Sequence, residues 1–172
     1  RPDARQQGHQ ARALRGLVAS ELSKLSTTRA TGWILMSGAL LAALAVSGAS
    51  ASGGVPLEAL GTDTGLRTVL EHGGVAAFLP LALGILASAG EYRHGTIVDT
   101  LLTEPRRARV LAAKALAGAI VGLIAGLILA GATAATAAAT YAAQGVPLDL
   151  TSAPVANSLI GIMLWATLYA VI

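Results

Sequence analysis

The chain of 172 residues has no cysteine, which excludes disulfides and thiolate metal sites and leaves the redox compartment unmarked. Aromatic residues make up only 3%. None of them interleaves with the arginines of the N-terminal segment, so a stacking platform for nucleic acid is missing and no nucleic-acid partner is expected. Charge is scarce as well: 12% of residues are Asp, Glu, Lys or Arg, about half the usual share. No G-x-x-x-x-G-K-[ST] motif occurs, so the chain has no phosphate-binding loop of its own. No nucleophile, base and orienting group can be grouped either, and the chain is read as not an enzyme. His9 and His94 stand alone. Glu71 and His72 are adjacent, do not share a helix face and have no third ligand near them, so no metal and no cofactor are expected.

The charges that do occur are bunched. Ala30 to Leu57, Gly73 to Gly90, Ala115 to Leu148 and Leu150 to Ile172 contain none. A helix of about 20 apolar residues crosses the hydrocarbon core. These intervals therefore predict an all-α, polytopic transmembrane helix bundle with four spans, at about 31–51, 74–90, 110–143 and 155–172. Trp33 suits the interface at the start of the first span. Ala49-Ser50-Ala51 resembles a signal-cleavage site, but 29 mostly polar residues precede the apolar run, far more than a basic leader has. Pro80 predicts a kink in the second span, tolerable where neighbouring helices pack around it. The third span is longer than a bilayer needs and must tilt or protrude. Gly53–His72 reads as a loop with a short helix around Leu66–Leu70, and Gln144–Pro154 as another loop. Each carries Gly-Val-Pro-Leu, beginning at Gly54 and Gly145, which shared turn chemistry explains as well as a repeat does.

Ahead of the first span, residues 1–12 read as a loose tail. Over 13–28, Leu14, Leu17, Val18, Leu22 and Leu25 share one side, while Arg12, Arg15, Ser20, Ser23 and Lys24 fill most of the other. That pattern predicts an amphipathic helix lying in the headgroup layer. Alternating spans put Arg1–Arg29 and Glu91–Lys114 on one side, with eleven of the twelve basic residues. The excess of positive charge makes that side cytoplasmic, so a multi-pass protein of the cell membrane with its N-terminus inside is expected. The chain begins without methionine and ends in an apolar run, so further spans are expected beyond Ile172.

Glu91 to Lys114 reads EYRHGTIVDTLLTEPRRARVLAAK. Gly95 permits a sharp break after the second span. Thr96 can cap a helix whose third position is Asp99, and Pro105 closes it. Ile97, Val98, Leu101 and Leu102 then form one apolar face, a docking knob for a soluble partner. Arg106 and Arg107, with Arg109, fall where lipid phosphates are reached, and Lys114 lies deeper. The run Glu91-Tyr92-Arg93-His94-Gly95-Thr96, then Leu101-Leu102, Pro105-Arg106-Arg107 and Lys114-Ala115, resembles the cytoplasmic loop between the second and third spans of type-2 ABC transporter permeases. Glu21-Leu22-x-Lys24-Leu25-x-Thr27-Thr28-Arg29 is similar to that family's amphipathic helix and the start of its first span. The resemblance implies six spans in all, an ABC ATPase subunit receiving the helix 97–103, and a second permease copy or paralogue. It also implies mechanical coupling of ATP hydrolysis to transport, with export the expected direction. A non-transporting membrane scaffold or assembly protein of the same topology is the alternative.

Three further features complete the reading. Gly118, Gly122 and Gly126 recur every four residues in the third span, a seam that lets another helix approach closely, although an Ala/Gly-rich sequence also produces such spacing by chance. Glu91 ends the second span and either is neutralised by Arg93, Arg106 or Lys114 or stays in headgroup water. Asn157, one turn before Gly161, suits a hydrogen bond between helices or the lining of a pathway.

Overall fold

The computed structural model describes residues 4–51, 53–93, 95, 102 and 106–172, with side chains for 14–51, 53–89, 95, 102 and 106–172. In chain order the helices are α1 (Ala4–Thr27), α2 (Arg29–Ala51), α3 (Leu57–Leu60), α4 (Asp63–Gly73), α5 (Leu79–Arg93), α6 (Arg107–Ala143) and α7 (Ala153–Val171), with a 3-10 turn at Gly74–Phe78 between α4 and α5. Among the described residues four stretches are long and apolar enough to cross a membrane: Arg29–Ala51, Asp63–Ala89, Arg107–Ala143 and Ala153–Val171. The chain is thus an all-helical, multi-pass membrane protein.

Two boundaries differ from the sequence reading. Helix α1 starts at Ala4, so helix runs through most of the stretch read as a loose tail. Residues 53–72 are mostly helical, not loop: α3 and α4 occupy them, and α4 continues through the 3-10 turn into α5. Thr62 starts α4 by accepting a hydrogen bond from the Gly65 amide at 3.1 Å, a side-chain cap for an otherwise orphaned donor. The interruption expected at Pro80 takes the form of that 3-10 turn. Proline has no amide to donate and its ring crowds the carbonyl four residues back, that of Ala76; the Leu79 amide takes this carbonyl in a tighter bond instead.

Helix α6 is the central post, packed against α7, α2, α1 and α4. Its 37 residues are about 55 Å long, well beyond a hydrocarbon core of about 30 Å. It ends in a Schellman motif: Gly145 is left-handed with φ +70, the Val146 amide donates to Tyr141 O at 3.0 Å and the Gly145 amide to Ala142 O at 3.2 Å. At the same end the Tyr141 hydroxyl donates to Leu60 O at 3.1 Å and Gln144 Nε2 to Ser50 O at 2.7 Å, fastening α3 and α2 to the post. Just before α7, the Thr151 hydroxyl and amide both donate to Asp149 Oδ1, at 2.6 and 2.8 Å. Those bonds, the hydroxyl's first, hold the Asp149 carboxyl below its ordinary range. The turn therefore has its ionic support above that range and loses it only as pH falls through the lowered pKa.

Side-chain sizes are distributed as lipid solvent requires. The buried positions include Ala42, Ala76, Ala77, Ala117, Ala125, Ala137, Ala166 and Ala170, whereas Trp33, Met36, Leu40 and Leu44 run exposed down one face of α2, and Leu123, Leu127, Leu164 and Leu168 are exposed on α6 and α7. A soluble monomer seldom leaves such continuous apolar surface in water. In hydrocarbon, burial of large apolar groups brings no helices together, and small residues that let backbones approach do. Gly118, Gly122 and Gly126 receive α7: a Cβ on Gly118 would lie 2.6 Å from Ala170 O, one on Gly122 2.7 Å from Thr167 Cα, and one on Gly126 2.7 Å from Met163 Cα. Gly84 of α5 meets the same Ala170 carbonyl, at 2.8 Å.

Gly122→Ala is expected to destabilise the bundle by about 1–3 kcal/mol through overpacking, against a helix-propensity gain of at most about 1 kcal/mol. Gly131→Ala, with nothing within 4 Å of the added methyl, should leave the melting temperature unchanged or raise it. Thermal unfolding in detergent distinguishes the two variants; equal shifts would contradict this packing of α7.

Candidate functional site

One end of the bundle gathers α1, the last turn of α5, the first turns of α6 and the end of α7. Helix α1 is amphipathic, and its apolar side meets α6: Val18 is buried with Ala113 and Ala117, flanked by Leu14, Leu17, Leu22 and Ile120. Glu21 falls in helical register with Leu14, Val18 and Leu25, so the same packing that buries those residues carries a carboxylate into the contact. Its side chain is only 9% accessible. An isolated buried carboxylate is costly, and here each oxygen has its own ammonium. Lys24 Nζ donates to Oε1 at 2.8 Å from the same helix, and Lys114 Nζ donates to Oε2 at 3.2 Å from α6.

Lys114 lies seven residues inside α6, about 10 Å beyond Arg107, with its side chain 18% accessible. Its aliphatic stem suits that depth and its head reaches the only kind of partner that makes such a position tolerable. The ion pair therefore fastens α1 to the third span across a contact that is otherwise apolar. A cavity of about 170 Å³ adjoins it, bounded by Glu21, Lys114, Ser88 and Gly84, with the end of α7 closing another side. Polar on one wall, it has room for a few waters.

The sequence reading offered Lys114 as one possible partner of Glu91, whose side chain lies outside the described residues; among the described side chains Lys114 pairs with Glu21. The side chains of Glu91 and Arg93 lie outside the described residues, as do Thr96, Ile97, Val98, Asp99, Leu101 and Pro105. Around them, α5 runs to Arg93 and Gly95 is left-handed with φ +70, a conformation that glycine adopts without penalty. Leu102 is 77% exposed. Arg106 and Arg107 are exposed and Arg109 is half-buried, all at the α1 end. Gly118, Gly122 and Gly126 belong to the α7 contact and not to this site. Among the described residues no group of three His, Asp or Glu could hold a metal ion.

Sequence reasoning gave Glu21 no partner, although a signal was present: an acid within an apolar helical stripe, and a lysine five residues past Arg109 at the start of the uncharged run. Glu21→Ala should destabilise the protein by roughly 2–3 kcal/mol, less than the about 3–5 of a fully buried pair because both lysines reach some water. The double variant Glu21→Ala, Lys114→Met should lose clearly less than the sum of its two single variants in a thermal-unfolding cycle; strictly additive losses would show that the two side chains do not interact. Comparison of the chain with protein families, with curated proteins and with solved structures gave no match.

Proposed function

We propose that the chain is a membrane-spanning permease subunit of an ABC transporter, which couples ATP hydrolysis by a separate ATPase subunit to transport, in the export direction. The observation that carries this reading is the segment between the second and third spans. It joins α5 to α6 at the end where α1 lies, begins with the left-handed Gly95, carries Leu102 in an exposed position and returns through Arg106 and Arg107. A leucine held there, between two rods, suits docking to a soluble protein better than it suits water.

Alpha-1 fits the role of an interfacial helix in this reading, apolar toward α6 and basic elsewhere. The excess of Lys and Arg at this end supports a cytoplasmic N-terminus in the cell membrane. Two copies, or a copy and a paralogue, complete a pathway in this scheme. The work done on the loop passes to α6 at Arg107 and, through the Lys114–Glu21 pair, to α1.

Two measurements test the reading. Leu101→Asp with Leu102→Asp should abolish co-purification of ATP-hydrolysing activity from native membranes and leave membrane insertion intact; unchanged co-purification would count against docking. Because the chain has no cysteine, Thr100→Cys introduces a single thiol. It should resist a membrane-impermeant maleimide applied to intact cells and react once the cells are opened. Labelling of intact cells would reverse the topology.

A further inference from the structure

Where α1 meets α6, a groove of about 390 Å³ is lined by Leu14, Arg15, Val18, Ala19 and Leu22 of α1 and by Leu116 of α6. Its walls are apolar except at Arg15. The order of these residues round α1 follows from 3.6 residues per turn, or about 100° per residue. Counted from Leu14, Val18 lies about 40° round the axis, Leu22 about 80°, Arg15 about 100° and Ala19 about 140°. The apolar face of α1 is therefore the floor of the groove, and the exposed Arg15 stands at its lip. Ala19, with only a methyl group, leaves that lip open.

Neither wall offers Arg15 a carboxylate. Helix α6 has no acid along its whole length. On α1 the one acid is Glu21, about 120° round the helix from Arg15 and held by Lys24 and Lys114. Depth follows from α6: Lys114 is its last charged residue, and Leu116, 47% exposed, stands two residues further in. The groove thus lies where charged surface gives way to an uncharged run, with an apolar floor and a cationic lip. Water is a poor filling, since an ordered water needs several polar partners and the floor has none. An acyl chain suits the floor, and a guanidinium at the lip pairs with phosphate through charge-assisted hydrogen bonds.

We infer that this groove seats one anionic phospholipid from the leaflet on the α1 side. Its phosphate accepts from the Arg15 guanidinium, and the start of an acyl chain lies between Leu14, Val18, Leu22 and Leu116. A zwitterionic lipid fits less well, because its ammonium finds no carboxylate on either wall. The inference rests on α1 lying at the membrane surface and on nothing else in the permease reading. An ATPase and transport do not enter it, so its failure and that of the permease reading are separable.

The test is native mass spectrometry of the full chain in detergent, titrated with phosphatidylglycerol or with phosphatidylcholine. One phosphatidylglycerol should be retained, several-fold more tightly than phosphatidylcholine. Arg15→Gln should weaken its retention roughly fivefold, the usual effect of one basic residue at an anionic surface. Arg15→Lys, which keeps the charge, should keep most of the preference. Ala19→Leu fills the groove with Arg15 in place and should weaken retention of both lipids. Arg107→Gln removes the same charge from the same end but outside the groove, and should change retention less than twofold. Equal retention of the two lipids would overturn the site as annular contact only. A loss in Arg107→Gln as large as that in Arg15→Gln would overturn it in favour of diffuse attraction to the basic end. Retention unaffected by Ala19→Leu, in a variant that melts at the wild-type temperature, would show that no chain occupies the groove.

Discussion

Helices inside a bilayer gain nothing by hiding leucine from lipid, so whatever holds them together must act at short range. In this protein the short-range contact is the approach of α7 to α6 across Gly118, Gly122 and Gly126, where added Cβ atoms would meet backbone of the partner helix. Gly84 of α5 reaches the Ala170 carbonyl that Gly118 also faces, so one turn of α7 is seated against two other helices at once. Dispersion between closely spaced backbones accumulates from many small terms and falls off steeply with separation. A rigid three-helix contact of this kind lets polar features at the two ends of the bundle keep fixed positions relative to one another.

Much of the architecture is legible in the distribution of charge. The limits of α2 and α6 fall close to those expected because Arg29 and Arg107 mark where apolar runs begin, and α7 begins beside Pro154, which is favoured in the first helical turn. The same cue failed over residues 53–72. Asp63, Arg67 and Glu71 interrupt the apolar run and suggest a loop, yet their four-residue spacing, with Leu66, Val69 and Leu70 between them, is that of a helix with one wet face. Reading for uncharged length alone hides an amphipathic first half of a span. The repeated Gly-Val-Pro-Leu misleads in another way. In the second loop its glycine, Gly145, is the left-handed residue, whereas in the first the left-handed residue is Gly53, one position before the motif. Identical words there serve different turns.

The candidate site was legible only in part. A small-residue seam states that some helix comes close, but not which one, since α2, α5 and α7 all have small residues to offer. Likewise Lys114 is plainly in need of an anion, and several acids compete for it in the sequence. Position along α1 supplies one of them: the apolar stripe that seats Val18 on Ala113 and Ala117 brings Glu21 to the level of Lys114. Burial of a carboxylate is thus a by-product of helix packing, and the two lysines are its compensation.

The two ends of the bundle solve different electrostatic problems. At the α1 end a buried acid is neutralised from within the chain by Lys24 and Lys114, which binds one helix to another and leaves surface arginines facing outward. At the other end Arg67 and Glu71 lie one turn apart on the exposed, wet face of α4. Internal compensation favours rigidity, because breaking the Glu21 contacts would strand a carboxylate in an apolar seam. Exposed charges of opposite sign one turn apart on a wet face add little to stability. Under the permease reading, a push on the loop before Arg107 moves α1 and α6 as one body. The seam with α7 then carries that displacement along the last helix toward Asn157 and Ser158.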